Sequence, residues 1–158
     1  MDRQDGVLGI GYHRRRLTRR PERYRLWRRG VEVGRVIQRH APGARRLLDV
    51  GTADGLMVSV LRREVPGVEV VGLDLSWELL RANEMNGNAL VLADAEEFPF
   101  AGARFDVVTA TAVIEHLPNP MRMLRSCHRV LRSDGLLVLT TPDPFFERLA
   151  VWLGRLPG

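Results

Sequence analysis

Five short apolar runs, separated for the most part by stretches of helical periodicity, constrain the fold of this chain more than any other feature. The apolar residues in each run are nearly continuous, which is typical of strands buried on both faces. The runs cover residues 47–50, 68–74, 89–94, 105–110 and 135–141. Helices are predicted between most of them, over 56–64, 77–83 and 121–131.

Strands that alternate with helices predict right-handed crossovers and a parallel sheet covered on both faces. The predicted fold class is therefore α/β, an open, doubly wound, mostly parallel sheet. A further amphipathic helix is predicted over residues 21–40, where Ala41-Pro42-Gly43 ends it. Ser76 and Asn119-Pro120 provide start signals for the second and third inter-strand helices. Ligands of such sheets bind beyond the carboxyl ends of the strands.

Charge is distributed unevenly along the chain. Residues 1–46 hold 14 arginines and four acids, a net charge of +10, whereas residues 47–158 carry a net charge of −5. The basic arm over residues 1–20 could contact nucleic acid or an anionic lipid surface, or the charges could form a solvated helix face.

Cysteine count and hydropathy exclude several protein classes. The single cysteine, Cys127, excludes a disulfide framework and a cysteine-based zinc site. No apolar run approaches the length of a membrane span, and the first residues do not resemble a secretory signal. A cytoplasmic location is predicted.

Three acids lie at the ends of the first three predicted strands, namely Asp49, Asp74 and Asp94. A carboxylate after the second strand can accept hydrogen bonds from both hydroxyls of a ribose. An acid after the third strand can reach the amine of an adenine, whose ring Leu75 or Phe98 could flank. Together these positions predict an adenosine pocket, although an aspartate at such a position can also do no more than cap a turn.

A nicotinamide dinucleotide is the competing ligand. Its fingerprint is G-x-G-x-x-G around a pyrophosphate, whereas this turn has Gly51, Ala53 and Gly55, with Asp54 where a diphosphate would be repelled. An adenosine ligand with a cationic end and no phosphate suits the turn better. Ala53 is acceptable there if its φ is negative, and the loop is otherwise strained.

Five segments resemble, in order, the motifs of the class I S-adenosylmethionine (SAM)-dependent methyltransferases, and most closely the UbiE/UbiG-like (methyltransferase type 11) branch. The resemblance extends from about residue 47 to residue 142. The segments are residues 47–55, 71–76, 93–100, 105–108 and 129–137.

The resemblance implies SAM as the cofactor and a role for each matching residue. Asp49 and the turn from Gly51 through Ala53 to Gly55 would face the methionine part. Asp74 would bind the ribose hydroxyls. The adenine would be held by Asp94 and the backbone of Ala95, and the path to the transferred methyl would be lined by residues 109–111, including Thr111.

His116 is the candidate base, because histidine titrates near neutrality. The alternative is that Glu115 and His116 do no more than orient the loop after the fourth strand. Residues 113–117 also resemble a metal-dependent RNA methyltransferase motif, E-x-x-E-H, but Ala112 replaces its first glutamate and no histidine follows His128. No metal is therefore predicted. Cys127 and His128 are predicted to be packing residues, and the tryptophans to lie in the core or at its rim.

The end of the chain departs from the family pattern, which continues into a helix and an antiparallel strand pair. Here residues 145–153 are predicted to form one helix, and the usual strands six and seven are predicted to be missing. Strand five would then be an apolar edge, in a truncated chain or in one whose edge a homo-oligomer or partner chain covers. The predicted divisions are the arm, 1–20; the leading helix, 21–46; and the SAM-binding domain, 47–158.

These residues predict a methyltransferase acting on a small-molecule acceptor, quinone-like or lipid-linked, with peripheral contact to an anionic surface as a further expectation. The alternative is a catalytically silent or partner-dependent SAM-binding scaffold subunit. Nucleic-acid methylation guided by the arginine arm ranks last, because no N/D-P-P-Y/F motif is present.

Overall fold

The computed structural model describes residues 20–83, 89–141 and 150–153. Six strands make one sheet: β1 Arg46–Val50, β2 Glu69–Asp74, β3 Ala89–Leu92, β4 Phe105–Thr111, β5 Leu131–Thr140 and β6 Ala150–Leu153. The helices are α1 Arg20–His40, α2 Leu56–Glu64, α3 Trp77–Asn83 and α4 Pro120–Val130, and a 3₁₀ turn covers Ile114–His116.

The sheet has the order β3-β2-β1-β4-β5-β6, and its first five strands in sequence run parallel. Successive strands are added outward from β1 on one side, and β4 then lies on the other side of β1. The order therefore reverses between β1 and β4, which is the switch point at which such sheets bind ligands. The predicted doubly wound α/β fold class is confirmed.

The predicted starts of two helices are confirmed. Ser76 Oγ accepts a hydrogen bond from the backbone N–H of Leu79 at 3.4 Å, at the start of α3. Asn119 caps α4 by accepting from the N–H of Arg122 at 3.4 Å, and Pro120 occupies the first turn. Each cap satisfies a backbone donor that the first turn of a helix leaves unpaired.

The chain after β5 differs from the prediction. Residues 150–153 form β6, antiparallel to β5, with Leu136 opposite Leu153 and Leu139 opposite Ala150. The helix predicted over 145–153 is therefore wrong for residues 150–153, and its earlier part lies outside the described residues. The expectation of an uncovered strand-five edge, with no further strand, is also wrong for the paired residues. A short apolar run fits a strand as well as a helix, and the open hydrogen-bonding groups of β5 favour the strand.

Two apolar layers cover the faces of the sheet. On one face, Val33 of α1 and Leu61 of α2 pack against a cluster that includes Leu47. On the other, Met123 and Cys127 of α4 pack against Leu48 and its neighbours. Adjacent strand residues thus enter opposite layers, as a sheet buried on both faces requires.

One of the two predicted packing residues of α4 is confirmed. Cys127 is fully buried, and burial raises the pKa of its thiol to about 12. The prediction for His128 is wrong, because this side chain is exposed. Trp27 and Trp77 are 40% and 53% exposed, which places them at the rim, and the side chain of Trp152 lies outside the described residues.

Helix α1 runs parallel to α2 at close range. A Cβ built on Gly30 would lie 2.8 Å from Val60 Cγ1, and one built on Gly34 would overlap Glu64 Cβ. Four residues further along α1, Gln38 Nε2 donates to the carbonyl of Glu64. Gly30 therefore faces residue 60 and Gly34 faces residue 64, so the two helices run in the same direction. Their N-termini lie at the same edge of the sheet.

Gly34→Ala tests this close approach. The added methyl group has no space against Glu64, so we expect a loss of roughly 1–3 kcal/mol in the free energy of unfolding, measured in urea. Gly43→Ala is the matched control, because a Cβ there meets nothing within 4 Å and a small gain is expected from the stiffer unfolded chain. Equal stability of the two variants would contradict the described helix contact.

Candidate functional site

The three acids predicted to form a site lie along neighbouring strands. Asp49 is the penultimate residue of β1, Asp74 ends β2, and Asp94 comes two residues after β3. The three strands are adjacent and parallel, so all three acids lie at the carboxyl edge of the sheet, beside the switch point. The structure thus brings the predicted positions to one edge.

Asp49 is a buried acid with one of its two carboxylate oxygens hydrogen-bonded. Its side chain is 1% exposed, and Thr109 Oγ1 donates to its Oδ1 at 2.7 Å. Its Oδ2 is buried and has no hydrogen-bond partner among the described residues. Burial raises the pKa of Asp49 to about 7, against the opposing effects of the Thr109 hydrogen bond and of the nearby Thr52 hydroxyl. The charge of Asp74 adds to the rise in this pKa. A donor or a cation brought to Oδ2 would relieve this cost.

Asp74 anchors the glycine turn to β2. The N–H of Ala53 donates to Asp74 Oδ2 at 2.9 Å, and the N–H of Ser76 donates to Oδ1 at 2.8 Å. The carbonyl of Leu73 accepts from the N–H groups of Gly51 and Thr52 at 2.7 and 3.0 Å. Asp74 is half-buried and, with two lone pairs on each oxygen, can still accept hydrogen bonds from a ligand.

The backbone of the turn is left-handed at three positions. Gly51, Ala53 and Gly55 have φ values of +71°, +47° and +71°, so Ala53 has the strained conformation foreseen for a positive φ. A Cβ on Gly51 would overlap Val113 Cγ2. The turn therefore brings bare backbone close to its neighbours and leads into α2 with no side-chain cap at Gly55.

The loop after β3 is fastened to α4. Asp94 Oδ1 accepts from the N–H of Glu96 at 2.8 Å. Glu96 in turn accepts from the N–H of Asn119 at 2.7 Å through Oε1, and its carbonyl accepts from Ser126 Oγ at 3.1 Å. The half-buried Ala95 is thereby held between two fixed positions.

The two side chains proposed to flank an adenine ring differ in accessibility. Phe98 is 3% exposed and belongs to the apolar layer beneath α4, so its proposed contact with a ring is wrong. The sequence identifies Phe98 as aromatic, but the direction in which its ring points depends on the packing of α4. Leu75 is 49% exposed and lies beside Asp74.

The residues at the end of β4 have different environments. Thr109 is buried and its hydroxyl donates a hydrogen bond to Asp49, so it does not line an open path. Thr111 is half-buried, with a hydroxyl that has no partner among the described residues. The His116 side chain is 45% exposed, with Nε2 4.0 Å from Glu115 Oε1.

Two further hydroxyls were not named individually in the sequence analysis, although one of them, that of Thr52, lies within the turn predicted to face the methionine part. Thr52 in the turn and Thr140 at the end of β5 are buried, and within the described ranges their Oγ1 atoms have no hydrogen-bond partner. Their positions at the ends of parallel strands or in the following turn are the signal that could have identified them. Unsatisfied buried hydroxyls at one edge indicate a site that a polar ligand completes.

Two structural searches of the described residues are negative. Residues 20–83, 89–141 and 150–153 contain no group of three or more His, Cys, Asp or Glu side chains arranged to hold a metal ion. No described helix has both the length and the apolar character needed to span a membrane.

Comparison with known proteins agrees with this geometry. Residues 48–139, more than half of the chain, match the model of a family described as "methyltransferase domain". A malonyl-[acyl-carrier protein] O-methyltransferase from Laribacter hongkongensis is 36% identical over 119 residues, which cover 67% of this chain and 39% of that protein. A demethylmenaquinone methyltransferase from Thermotoga maritima is 32% identical over 96 residues, 60% of this chain and 42% of that protein.

Solved structures share the fold. A sugar N-methyltransferase from Streptoalloteichus superimposes with a TM-score of 0.69 at 26% identity, over 92% of this chain and 59% of that one. The chain spans about two-fifths of the length of the curated relatives it matches.

Asp49→Asn tests the buried acid. An aspartate with an unfolded pKa of 3.8 and a folded pKa of about 7 binds more protons when folded, so stability falls as the pH rises through that interval. We expect the wild type to lose roughly 3 kcal/mol relative to the variant between pH 4 and pH 7. Urea unfolding at both pH values measures the difference, and parallel pH profiles would contradict the assignment.

Ala53→Gly tests the strained turn. Glycine removes the left-handed penalty at φ +47° but adds freedom to the unfolded chain, and we expect a net gain of about 0.5–1 kcal/mol. Ala44→Gly is the control, because Ala44 is not among the positive-φ residues and loses stability on the same substitution. Thermal melts compare the two, and destabilisation by both substitutions would show that Ala53 is not strained.

Proposed function

Because the chain belongs to the methyltransferase-domain family, whose cofactor is SAM, we propose that the protein transfers a methyl group from SAM to a small-molecule acceptor. The observation that carries the proposal is the buried carboxylate of Asp49, whose Oδ2 has no hydrogen-bond partner among the described residues, in the strand that leads into a turn of left-handed backbone. A ligand with a positive charge and hydrogen-bond donors at one end fits such a site. SAM has both, in its sulfonium and its ammonium group.

The remaining acids support an adenosine moiety beside that cationic end. Asp74 has lone pairs left after accepting from Ala53 and Ser76, and we assign it to the ribose hydroxyls. Asp94 and the backbone of Ala95 are assigned to the adenine edge, with Leu75 against the ring. A dinucleotide is disfavoured, because its phosphates would lie among carboxylates.

The chain's own contribution to the reaction is orientation. SAM supplies a methyl group on a positively charged sulfur, a good leaving group, so the protein has to align donor and acceptor. Thr111 has an unsatisfied hydroxyl at the end of β4 and is assigned to the path between them. His116 is the assigned base for acceptors that lose a proton, since its imidazole is partly exposed next to this strand end.

We propose a quinone-like or lipid-linked acceptor. The name of the Thermotoga maritima relative contains a quinone, and that of the Laribacter hongkongensis relative contains a carrier-bound malonyl group. The proposed site is compatible with either class, because none of its assigned residues selects the acceptor. A cytoplasmic location stays a prediction.

Thermal melts with and without S-adenosylhomocysteine test the cofactor site. Ligand at about a hundred times its dissociation constant adds roughly 2.7 kcal/mol, and we expect a rise in Tm on the order of 5–10 °C. Asp74→Asn should abolish most of the shift. Asp134→Asn, an exposed aspartate on β5, removes the same charge away from the site and should preserve it.

The outcomes separate the proposed function from its alternative. A well-folded wild type with no shift would overturn the proposal. A shift without transfer of a labelled methyl group from SAM to a quinol or to a malonyl thioester would reject these two acceptors and favour the SAM-binding scaffold subunit.

A further inference from the structure

The large apolar side chains that the described structure leaves exposed lie at one edge of the sheet. Leu75 and Trp77 follow β2, Leu92 ends β3, and Met121 lies in the first turn of α4, so these four are at the carboxyl edge. The set and its exposed fractions are Tyr24 58%, Trp27 40%, Leu75 49%, Trp77 53%, Leu92 53% and Met121 56%.

The two aromatic residues of α1 reach the same edge. Helix α1 is parallel to α2 and in register with it, with Gly30 beside Met57 and Val60, and α2 begins at Leu56. At 1.5 Å per residue, Trp27 lies about 4.5 Å and Tyr24 about 9 Å further along the axis from Gly30. The N-terminal half of α1 therefore extends past the start of α2, toward the edge that carries Asp49.

Trp27 continues the face that α1 buries. Positions 27, 30, 34 and 37 follow helical spacing, and Gly30, Gly34 and Ile37 are buried. Near the start of α2 this face becomes accessible, and Trp27 is 40% exposed. Tyr24 lies next to it, with the ring centroids 5.8 Å apart.

Arginines flank this aromatic pair. Arg23, Arg25 and Arg28 are exposed, and within the described residues Arg28 pairs with Glu32 at 3.2 Å. We call Arg23, Tyr24, Arg25, Trp27 and Arg28 the α1 rim. Tyrosine and tryptophan beside several arginines on an amphipathic helix are typical of segments that lie in the interface of an anionic membrane.

A lipid surface fits the edge better than a nucleic acid does. Arginine and aromatic side chains can bind either partner, but Leu92 and Met121, which are 53% and 56% exposed, extend the edge with side chains that gain only from burial in an apolar medium. Exposed apolar side chains gathered at one edge mark an interaction surface.

We propose that the α1 rim docks the protein on an anionic lipid bilayer, with Tyr24 and Trp27 at headgroup depth and the arginines on lipid phosphates. The α1 rim would then hold the carboxyl edge beside the membrane, where it could take an acceptor directly from the bilayer. This consequence for the acceptor rests on the proposed function, whereas the docking itself does not.

Co-sedimentation of the full 158-residue chain with vesicles tests the docking. The vesicles contain about one-third phosphatidylglycerol in phosphatidylcholine, and pure phosphatidylcholine vesicles are the reference. Each arginine near such a surface contributes a factor of about five, so Arg25→Gln combined with Arg28→Gln should weaken partitioning roughly 30-fold. Added salt should weaken wild-type binding.

A matched pair controls for charge alone. Arg62 and Arg63 are exposed in the last turn of α2, at the opposite edge, and Arg63 pairs with Glu64 as Arg28 pairs with Glu32. Arg62→Gln combined with Arg63→Gln should leave partitioning unchanged. Trp27→Ala should weaken the binding that persists at high salt, and Trp27→Phe should restore most of it.

Several results would overturn the docking proposal. These are equal binding to neutral and anionic vesicles, equal losses in the two arginine pairs, no vesicle binding, or tighter salt-dependent binding of the same rim to single-stranded poly-U RNA. Vesicle binding that depends on the rim, in a protein that shows no melting shift with S-adenosylhomocysteine, would support the docking and reject the proposed function.

Discussion

Two backbone N–H groups converge on the carboxylate of Asp74, and the geometry of the site depends on them. One belongs to Ala53 in the glycine turn and the other to Ser76 at the start of α3. The first bond holds the turn against β2 although Ala53 is left-handed there. Asp49 in the neighbouring strand is buried, and its pKa is raised chiefly by that burial and to a smaller extent by the charge of Asp74. One carboxylate thus contributes to the environment of another.

Much of this arrangement can be predicted from sequence because it depends on local rules. A buried strand followed by an acid and a glycine turn fixes where each strand ends, and parallel pairing then brings the ends together. The helix starts at Ser76 and Asn119 follow from the preferences of capping residues. These local rules are sufficient to predict that Asp49, Asp74 and Asp94 lie at one edge of the sheet.

The features that could not be predicted depend on tertiary packing. The sequence shows that Phe98 is apolar but not where its ring points. Its burial beneath α4 is what separates it from the site. His128 lies one residue after a fully buried cysteine, but the face that α4 turns inward excludes it. Residues 150–153 are too short a run for periodicity to distinguish helix from strand, and pairing with β5 makes them a strand.

The loop after β3 is attached to α4, whereas the glycine turn is attached to β2. Arg129 of α4 donates to the carbonyls of Phe98 and Phe100, and Ser126 donates to that of Glu96. The segment next to Asp94 therefore moves with α4, whereas the glycine turn moves with β2 through Asp74. A ligand that contacts both the glycine turn and the loop after β3 would link them across the sheet. The motions of the turn and the loop would then be coupled. Amide exchange in α4 would then slow on binding at the glycine turn, without any direct contact between them.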